Sequence, residues 1–295
     1  MLKRTIFISS PNSLRLKDNQ MVIQSKEDAE LVNKVPIEDV GFLVIENPQT
    51  YISIPLLNAL TEYNVSVTFC NNHGMPKSML LNLDANSTQG ESYQRQIQVS
   101  EPLKKNLWKQ IIESKIRNQA LLLEKLGLEG QRVLYCSKDV KSGDTDNREG
   151  VAAKIYWSML FGDEFYRDRY GIAPNNLLNY GYSLLRSATA RAIVGSGLLP
   201  VFGLFHHNRY NSYPLADDLM EPFRPYVDEV AFRLYANGMT ELTKDVKAEF
   251  AKVLYADTMA DKMTRPLSLA LTYAAASLTR CYYGEQKKLV LPYFM

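Results

Sequence analysis

The sequence predicts an α+β protein: a small β-rich N-terminal domain joined by a linker to a larger all-helical C-terminal domain. Three observations predict it. Residues 1–85 break into short β-prone runs divided by turn residues. A polar stretch follows, DANSTQGESYQRQIQVS, and places a linker at 86–100. From Pro102 onward, apolar residues recur at helical spacing, so residues 101–295 read as helical.

In the first part, TIFIS, DVGFLVIEN, VSVTFCN and PKSMLLNL read as strands, and LRLKDNQMVI reads as a hairpin with turn residues Lys17-Asp18-Asn19. SIPLLNALTEYN breaks that pattern. Leu56, Leu57, Leu60 and Tyr63 fall at helical spacing and predict one short helix at 53–64. His73 lies in a loop before Gly74 and reads as a surface residue. The linker begins as a polar junction and ends as the start of a helix.

The second part opens with a long helix, LKKNLWKQIIESKIRNQALLLEKLG. Leu103, Leu107, Ile111, Ile116 and Leu123 mark its apolar side and Gly127 its end. Lys104, Lys105, Lys109, Lys115 and Arg117 put positive charge on it, as a solvated face or a phosphate track. DTDNRE starts a second helix with Val151, Ile155, Met159 and Leu160 on its apolar side. Ala188, Ala190, Ala192, Gly195 and Gly197 predict close helix packing. LTKDVKAEFAKVLYADTMAD and RPLSLALTYAAASLTRCYYG read as further helices. The tail EQKKLVLPYFM docks on the fold, docks on a partner, or lies on the surface.

Composition bounds the function. The 295 residues are 46% apolar and 22% charged, an ordinary globular balance. The formal charge of +2, from 34 basic and 32 acidic residues, neither requires nor forbids nucleic acid. The three cysteines show no metal-type spacing and fit a reducing, cytoplasmic setting. No apolar run is long enough to predict a membrane span, and the N-terminus lacks a secretory core. No phosphate loop, serine elbow, thiol pair or zincin helix is present. GSG at 195–197 lacks the strand and glycine spacing of a dinucleotide site.

Residues able to carry chemistry concentrate in HHNRYNSYPLADDLMEPFRP. Pro214 leads into a helix on which Asp218 and Glu221, three apart, share a face. Asp217 adds a third acid, and His206 closes the cluster from the loop. Oxygen ligands fit Mg²⁺ or Mn²⁺, and one imidazole tilts the site toward Mn²⁺ or a softer metal. The same segment also reads as a helix start with ordinary surface acids. Glu149 opens the second helix beside Ala152 and Ala153, as a ligand with room around it or as a first-turn acid. Tyr93, Arg95, Arg167, Tyr180 and Arg186 have the chemistry to contact phosphates or stack on bases, or else to fill core and surface.

NREGVAAKIYW, NNLLNYGYSLLRSATARA and GLFHHNRYNSYPLADDLMEPFRPYVDE, in that order, resemble the motifs of the CRISPR adaptation integrases. These are the larger of the two near-universal spacer-acquisition proteins. The resemblance spans most of the chain. NYGYSLL with LADDLMEPFRP is most similar to the subfamily of single-protein effector nuclease systems, type II.

The resemblance implies that Glu149, His206 and Glu221 are catalytic and bind the metal, with Asp218 supporting and Asp217 or His207 as alternatives. It implies Mg²⁺ or Mn²⁺ and a transesterification in which the 3′-hydroxyl of a DNA fragment attacks a phosphodiester at a CRISPR repeat. It also implies double-stranded DNA as partner, a homodimer formed by the N-terminal domains, and a 4:2 complex with a dimer of the smaller adaptation protein. The effector nuclease and a ring-shaped DNA-end-binding protein join in that subfamily. The rival readings are a metal-dependent nuclease for branched or invading DNA, and a structural DNA-binding subunit with inert acids.

Overall fold

The computed structural model describes residues 3–82 and 86–295. The chain divides into two compact units, residues 1–87 and 88–295. The expected domain end at residue 85 lies outside the described residues.

Among its described residues, the first unit carries eight strands and one α-helix. They are β1 (Arg4–Ile8), β2 (Asn12–Lys17), β3 (Gln20–Ser25), β4 (Val32–Pro36), β5 (Val40–Ile45), β6 (Tyr51–Ile52), α1 (Ile54–Glu62), β7 (Ser66–Cys70) and β8 (Pro76–Leu80). One sheet runs β1-β5-β7-β8 and the other β4-β3-β2-β6. β5, VGFLVI, pairs in parallel on both sides and is buried at every position, as a central parallel strand must be. The predicted hairpin is β2–β3, with Lys17 opposite Gln20. Its two-residue turn puts Asp18 and Asn19 at φ of 52° and 54°, the left-handed pair whose twist matches that of the strands. The predicted helix is α1, which buries Leu56 and Leu60. Leu14 and Met21 of one sheet share a core with Leu43 and Val67 of the other.

The second unit is predominantly helical. It contains α2 (Gln89–Gln98), α3 (Glu101–Lys125), α4 (Gln131–Ser137), α5 (Arg148–Phe161), α6 (Asn175–Gly195), α7 (Pro214–Met220), α8 (Arg224–Ala236), α9 (Lys244–Lys252), β9 (Asp257–Ala260), β10 (Met263–Pro266) and α10 (Leu267–Tyr282). α3 is its axis, packing against α4, α5, α7 and α8. α6 and α8 approach closely at Gly181, where a Cβ would lie 2.4 Å from the Val227 side chain. Among the described residues, no helix is long and apolar enough to cross a membrane.

Two local expectations change, and one open alternative is decided. Much of the stretch read as a linker is α2, which buries Ser92 and Gln96. The Gln96 amide donates to the Leu199 carbonyl at 2.9 Å and accepts from the Leu199 N–H at 2.8 Å, so this polar helix is fastened. The helix expected through residue 261 stops at Lys252. Thr258, Met259 and Ala260 instead enter an antiparallel ribbon turned by Asp261 and Lys262 at positive φ. The tail docks on its own fold: Phe294 is buried, and Asn118 donates to the Pro292 carbonyl at 3.1 Å.

Candidate active site

Pro214 starts α7 at the position where a missing N–H costs nothing. The three acids that follow are all buried, and each faces a different partner. Asp217 takes the Arg186 guanidinium in a two-pronged pair at 2.6 and 2.9 Å and also accepts from Asn211. Asp218, 0% exposed, receives the backbone N–H groups of Leu204 at 2.6 Å, Phe205 at 3.0 Å and His206 at 3.3 Å. Its Oδ1 also accepts from the His206 ring at Nδ1. The hydrogen bond to Asp218 raises the His206 pKa, against the opposing pull of partial burial.

Gly203 makes this loop possible. A Cβ there would meet the His206 carbonyl at 2.6 Å and Asp218 Oδ2 at 3.0 Å. The loop therefore folds back on itself over Asp218, with Nδ1 of His206 engaged and Nε2 left for another partner. His207 is exposed. The imidazole that Asp218 orients is that of His206.

The second half of the site assembles around Lys115. Its ammonium lies 2.5 Å from Glu149 Oε1 and 2.6 Å from Glu221 Oε2. Glu149 can reach it because other residues cap α5. Asn147 accepts from the Gly150 N–H, and Asp144 accepts from those of Arg148 and Glu149. Glu221 is carried by a 3-10 turn, Glu221–Phe223, whose Pro222 carbonyl accepts from Asn118 at 2.8 Å. Lys115 and Asn118 lie one turn apart on α3, so one helix positions both the acid and its counter-ion.

Arg224 adds a second charge, with Nε 2.9 Å from Glu221 Oε1. Burial disfavours the Glu221 carboxylate, yet Arg224 and Lys115 prevail and lower its pKa to about 2. Burial likewise opposes the Lys115 charge, and Glu221 and Glu149 overcome it, raising its pKa. Glu221 Oε2 and Arg224 Nε nevertheless lack an aligned hydrogen bond. These contacts are ion pairs set by distance more than by donor direction.

Behind them, the Arg224 guanidinium lies 4.4 Å from the Tyr182 ring centroid. Tyr182 and Tyr156 both donate to buried Asp228, the latter at 2.8 Å. Burial raises the Asp228 pKa to about 6 against the two tyrosine hydrogen bonds. Helices α3, α5, α6 and α8 are thus linked through one chain of polar groups.

The structure corrects the readings of Lys115 and Tyr180 and gives the other basic and aromatic candidates the partners described below. Lys115 belongs neither to a solvated face nor to a surface phosphate track. Tyr180 is fully buried against Phe250 and has no free face for a base. Arg186 is committed to Asp217, and Arg167 donates to Asn175 and Asn179. Tyr93 is half-buried. Arg95 is exposed, paired with Glu91 at 3.2 Å and stacked on Tyr283. Beside His206, a cleft of about 380 Å³ is lined by Lys104, Phe202, His207 and Arg209. Of these, only His207 and Lys104 stand out in the sequence; Arg209 lies in the motif but is masked by its polar loop.

The donors suit a hard divalent cation in type: two carboxylates, one buried oxygen without an aligned hydrogen bond, and an oriented imidazole. They are not drawn together as a ligand set. Among the described residues, no three His, Cys, Asp or Glu side chains group closely enough to hold a metal. Glu149 and Glu221 converge on Lys115 instead, and His206 is close enough for its charge to act on Glu221.

The family model described as CRISPR associated protein Cas1 matches residues 6–267. A protein of Neisseria meningitidis serogroup C, named CRISPR-associated endonuclease Cas1, is 38% identical over 259 residues, 86% of this chain and 84% of that protein. The fold is similar to a casposase bound to integration product, with a TM-score of 0.81 at 20% identity over 98% of this chain and 93% of that one. It is also similar to a chain of a Cas6-RT-Cas1–Cas2 complex, with a TM-score of 0.74 at 16% identity over 99% of this chain and 36% of that one. A family match across most of the chain, joined to the 38% relative, establishes that this protein belongs to the Cas1 family of CRISPR-associated proteins.

Proposed function

We propose that this protein is a divalent-metal-dependent DNA integrase that inserts short foreign DNA fragments into a CRISPR array. The observation that supports this most is the convergence of Glu149 and Glu221, from different helices, on one buried positive charge. His206 beside them is oriented by Asp218.

Glu149, Glu221 and His206 Nε2 would hold Mg²⁺ or Mn²⁺, with Asp218 keeping the imidazole in the ligating tautomer. The cation would supply Lewis-acid stabilisation of the attacked phosphate and lower the pKa of the attacking hydroxyl. The fragment's 3′-hydroxyl attacks a phosphodiester at the repeat boundary. A new P–O bond forms as the bond to the displaced 3′-oxygen breaks, and that oxygen takes up a proton. The count of phosphodiester bonds is unchanged, so no energy source is required. Lys104, His207 and Arg209 around the cleft would meet DNA phosphates, giving affinity without sequence preference.

Membership in the Cas1 family, the Neisseria relative's designation as an endonuclease and the casposase's bound integration product all support this reading. The further assignments rest on the sequence motifs. They are the type II subfamily, dimerisation through the N-terminal unit, the 4:2 complex with the smaller adaptation protein, the effector nuclease and the ring-shaped end-binding protein. A cytoplasmic setting goes with them.

A joining assay tests the function. Duplex with free 3′-hydroxyls, a repeat-bearing plasmid, the smaller partner and Mn²⁺ should yield joined product, and Glu149→Ala should abolish it. Cleavage without joining would identify a nuclease. Joining that survives both Glu149→Ala and chelation would leave the acids structural.

A further inference from the structure

We propose that Lys115 is an internal counter-cation that occupies the metal's place between Glu149 and Glu221 and competes with the metal for them. The inference rests on the metal-site reading above and adds a residue that sets the affinity of that site.

Three observations carry it. First, a single ammonium touches both carboxylates, at 2.5 and 2.6 Å, and these come from different helices. Without a positive charge there, two acids would face each other in a largely buried place, where like charges repel strongly. Arg224 cannot take over this role: it meets Glu221 alone and its guanidinium is packed on Tyr182.

Second, the fit of the ammonium is incomplete. Glu221 Oε2 is buried and close to Nζ, yet no donor is aligned on it. A divalent cation bound there would coordinate this oxygen directly.

Third, the tether allows exchange. Lysine carries a compact charge on a flexible four-carbon stem, whereas an arginine fork would be fixed by its planar hydrogen bonds. Glu149 is the more open of the two acids, its side chain 25% exposed against 4% for Glu221. The Lys115 charge can withdraw on that side when a divalent cation arrives.

Mn²⁺ binding to wild type, Glu149→Gln and Lys115→Met, followed by electron paramagnetic resonance, tests the proposal. Wild type should bind Mn²⁺, and Glu149→Gln should lose that site. Lys115→Met should bind about tenfold more tightly, because the competing charge is gone. Its metal-free melting temperature should fall, and Mn²⁺ should raise it by more than in wild type.

Absence of Glu149-dependent Mn²⁺ binding in wild type would defeat the metal-site reading itself. Glu149-dependent binding that Lys115→Met leaves unchanged or weakens would defeat only the exchange. Should Lys115→Met fail to fold, wild type decides. The lysine ammonium resonance missing from Lys115→Arg should shift on saturation with Mg²⁺, and an unmoved resonance overturns the proposal.

Discussion

The two halves of the site are built by opposite means. Around His206, directional hydrogen bonds do the work: one buried carboxylate, Asp218, gathers three backbone N–H groups and an imidazole nitrogen. Around Glu221, charge opposes charge, with Lys115 and Arg224 facing Glu149 and Glu221. Backbone donors are directional and fixed by the fold. Ion pairs at such depth balance a large desolvation cost against a large attraction, and either side of that balance can be exchanged. The His206 half is positioned before any ligand arrives, whereas the Lys115 half is held by a charge that another charge can replace.

Removing Glu221 should have the largest effect. Glu221→Ala leaves Arg224 without its carboxylate and Lys115 with Glu149 alone, deep in the helical unit. A loss on the order of 3–5 kcal/mol is expected from breaking a buried pair. Urea unfolding of the metal-free protein measures it. A loss below about 1 kcal/mol would mean the two arginine and lysine charges find water, and the contrast between the halves would disappear.

Asp218→Ala should follow, at roughly 2–4 kcal/mol, since several donors lose one acceptor. Its more telling readout is Mn²⁺ affinity, expected to fall about 10–100-fold through loss of the imidazole's orientation. Asp218→Asn should recover more stability than affinity, because an amide oxygen still accepts from the backbone while the pull on Nδ1 weakens.

These contrasts were only partly legible in the sequence. The β-rich unit was readable because alternation and turn residues are local: Asp18-Asn19 specifies its own hairpin, and the Leu56–Leu60 spacing specifies α1. The acids, His206 and Gly203 were readable as a motif. Lys115 was not, because its partners come from distant segments. One signal existed. Lys115 is bracketed on α3 by Ile111, Ile112 and Leu122, which places it on an apolar face that a solvated lysine would avoid. Tyr180 was misread for the converse reason: its polar neighbours Asn175, Asn176 and Asn179 suggested a surface, but they donate to loop carbonyls and brace the start of α6.

The network behind Arg224 offers a pH test of the charged half. The Asp228 pKa is raised to about 6 by burial, from an unfolded value of 3.8. The folded state therefore binds the proton more tightly, and the stability this group contributes is fully present below pH 3.8 and lost as pH rises through 6. Asp228→Asn removes that dependence. Wild type should accordingly gain on the variant by about 3 kcal/mol between neutral pH and pH 4, in paired urea titrations. A flat difference would mean that the two tyrosines fully offset burial of the carboxylate.

The smallest effect on stability, and the sharpest on the His206 half, should come from Gly203→Ala. The added methyl would sit 2.6 Å from the His206 carbonyl and 3.0 Å from Asp218 Oδ2. Neither neighbour can yield freely, one being backbone and the other pinned by the N–H groups of Leu204 and Phe205. The loop must lift, at a cost of about 1–3 kcal/mol, the usual penalty for overpacking. Lifting the loop moves the imidazole but leaves Lys115, Glu149 and Glu221 in place, since those are fixed by α3, α5 and the turn at Pro222. Crystal structures of Gly203→Ala and wild type should therefore differ at His206 and agree at Lys115. A variant in which both halves shift together would show that the hydrogen-bonded loop and the ion-pair cluster form one unit.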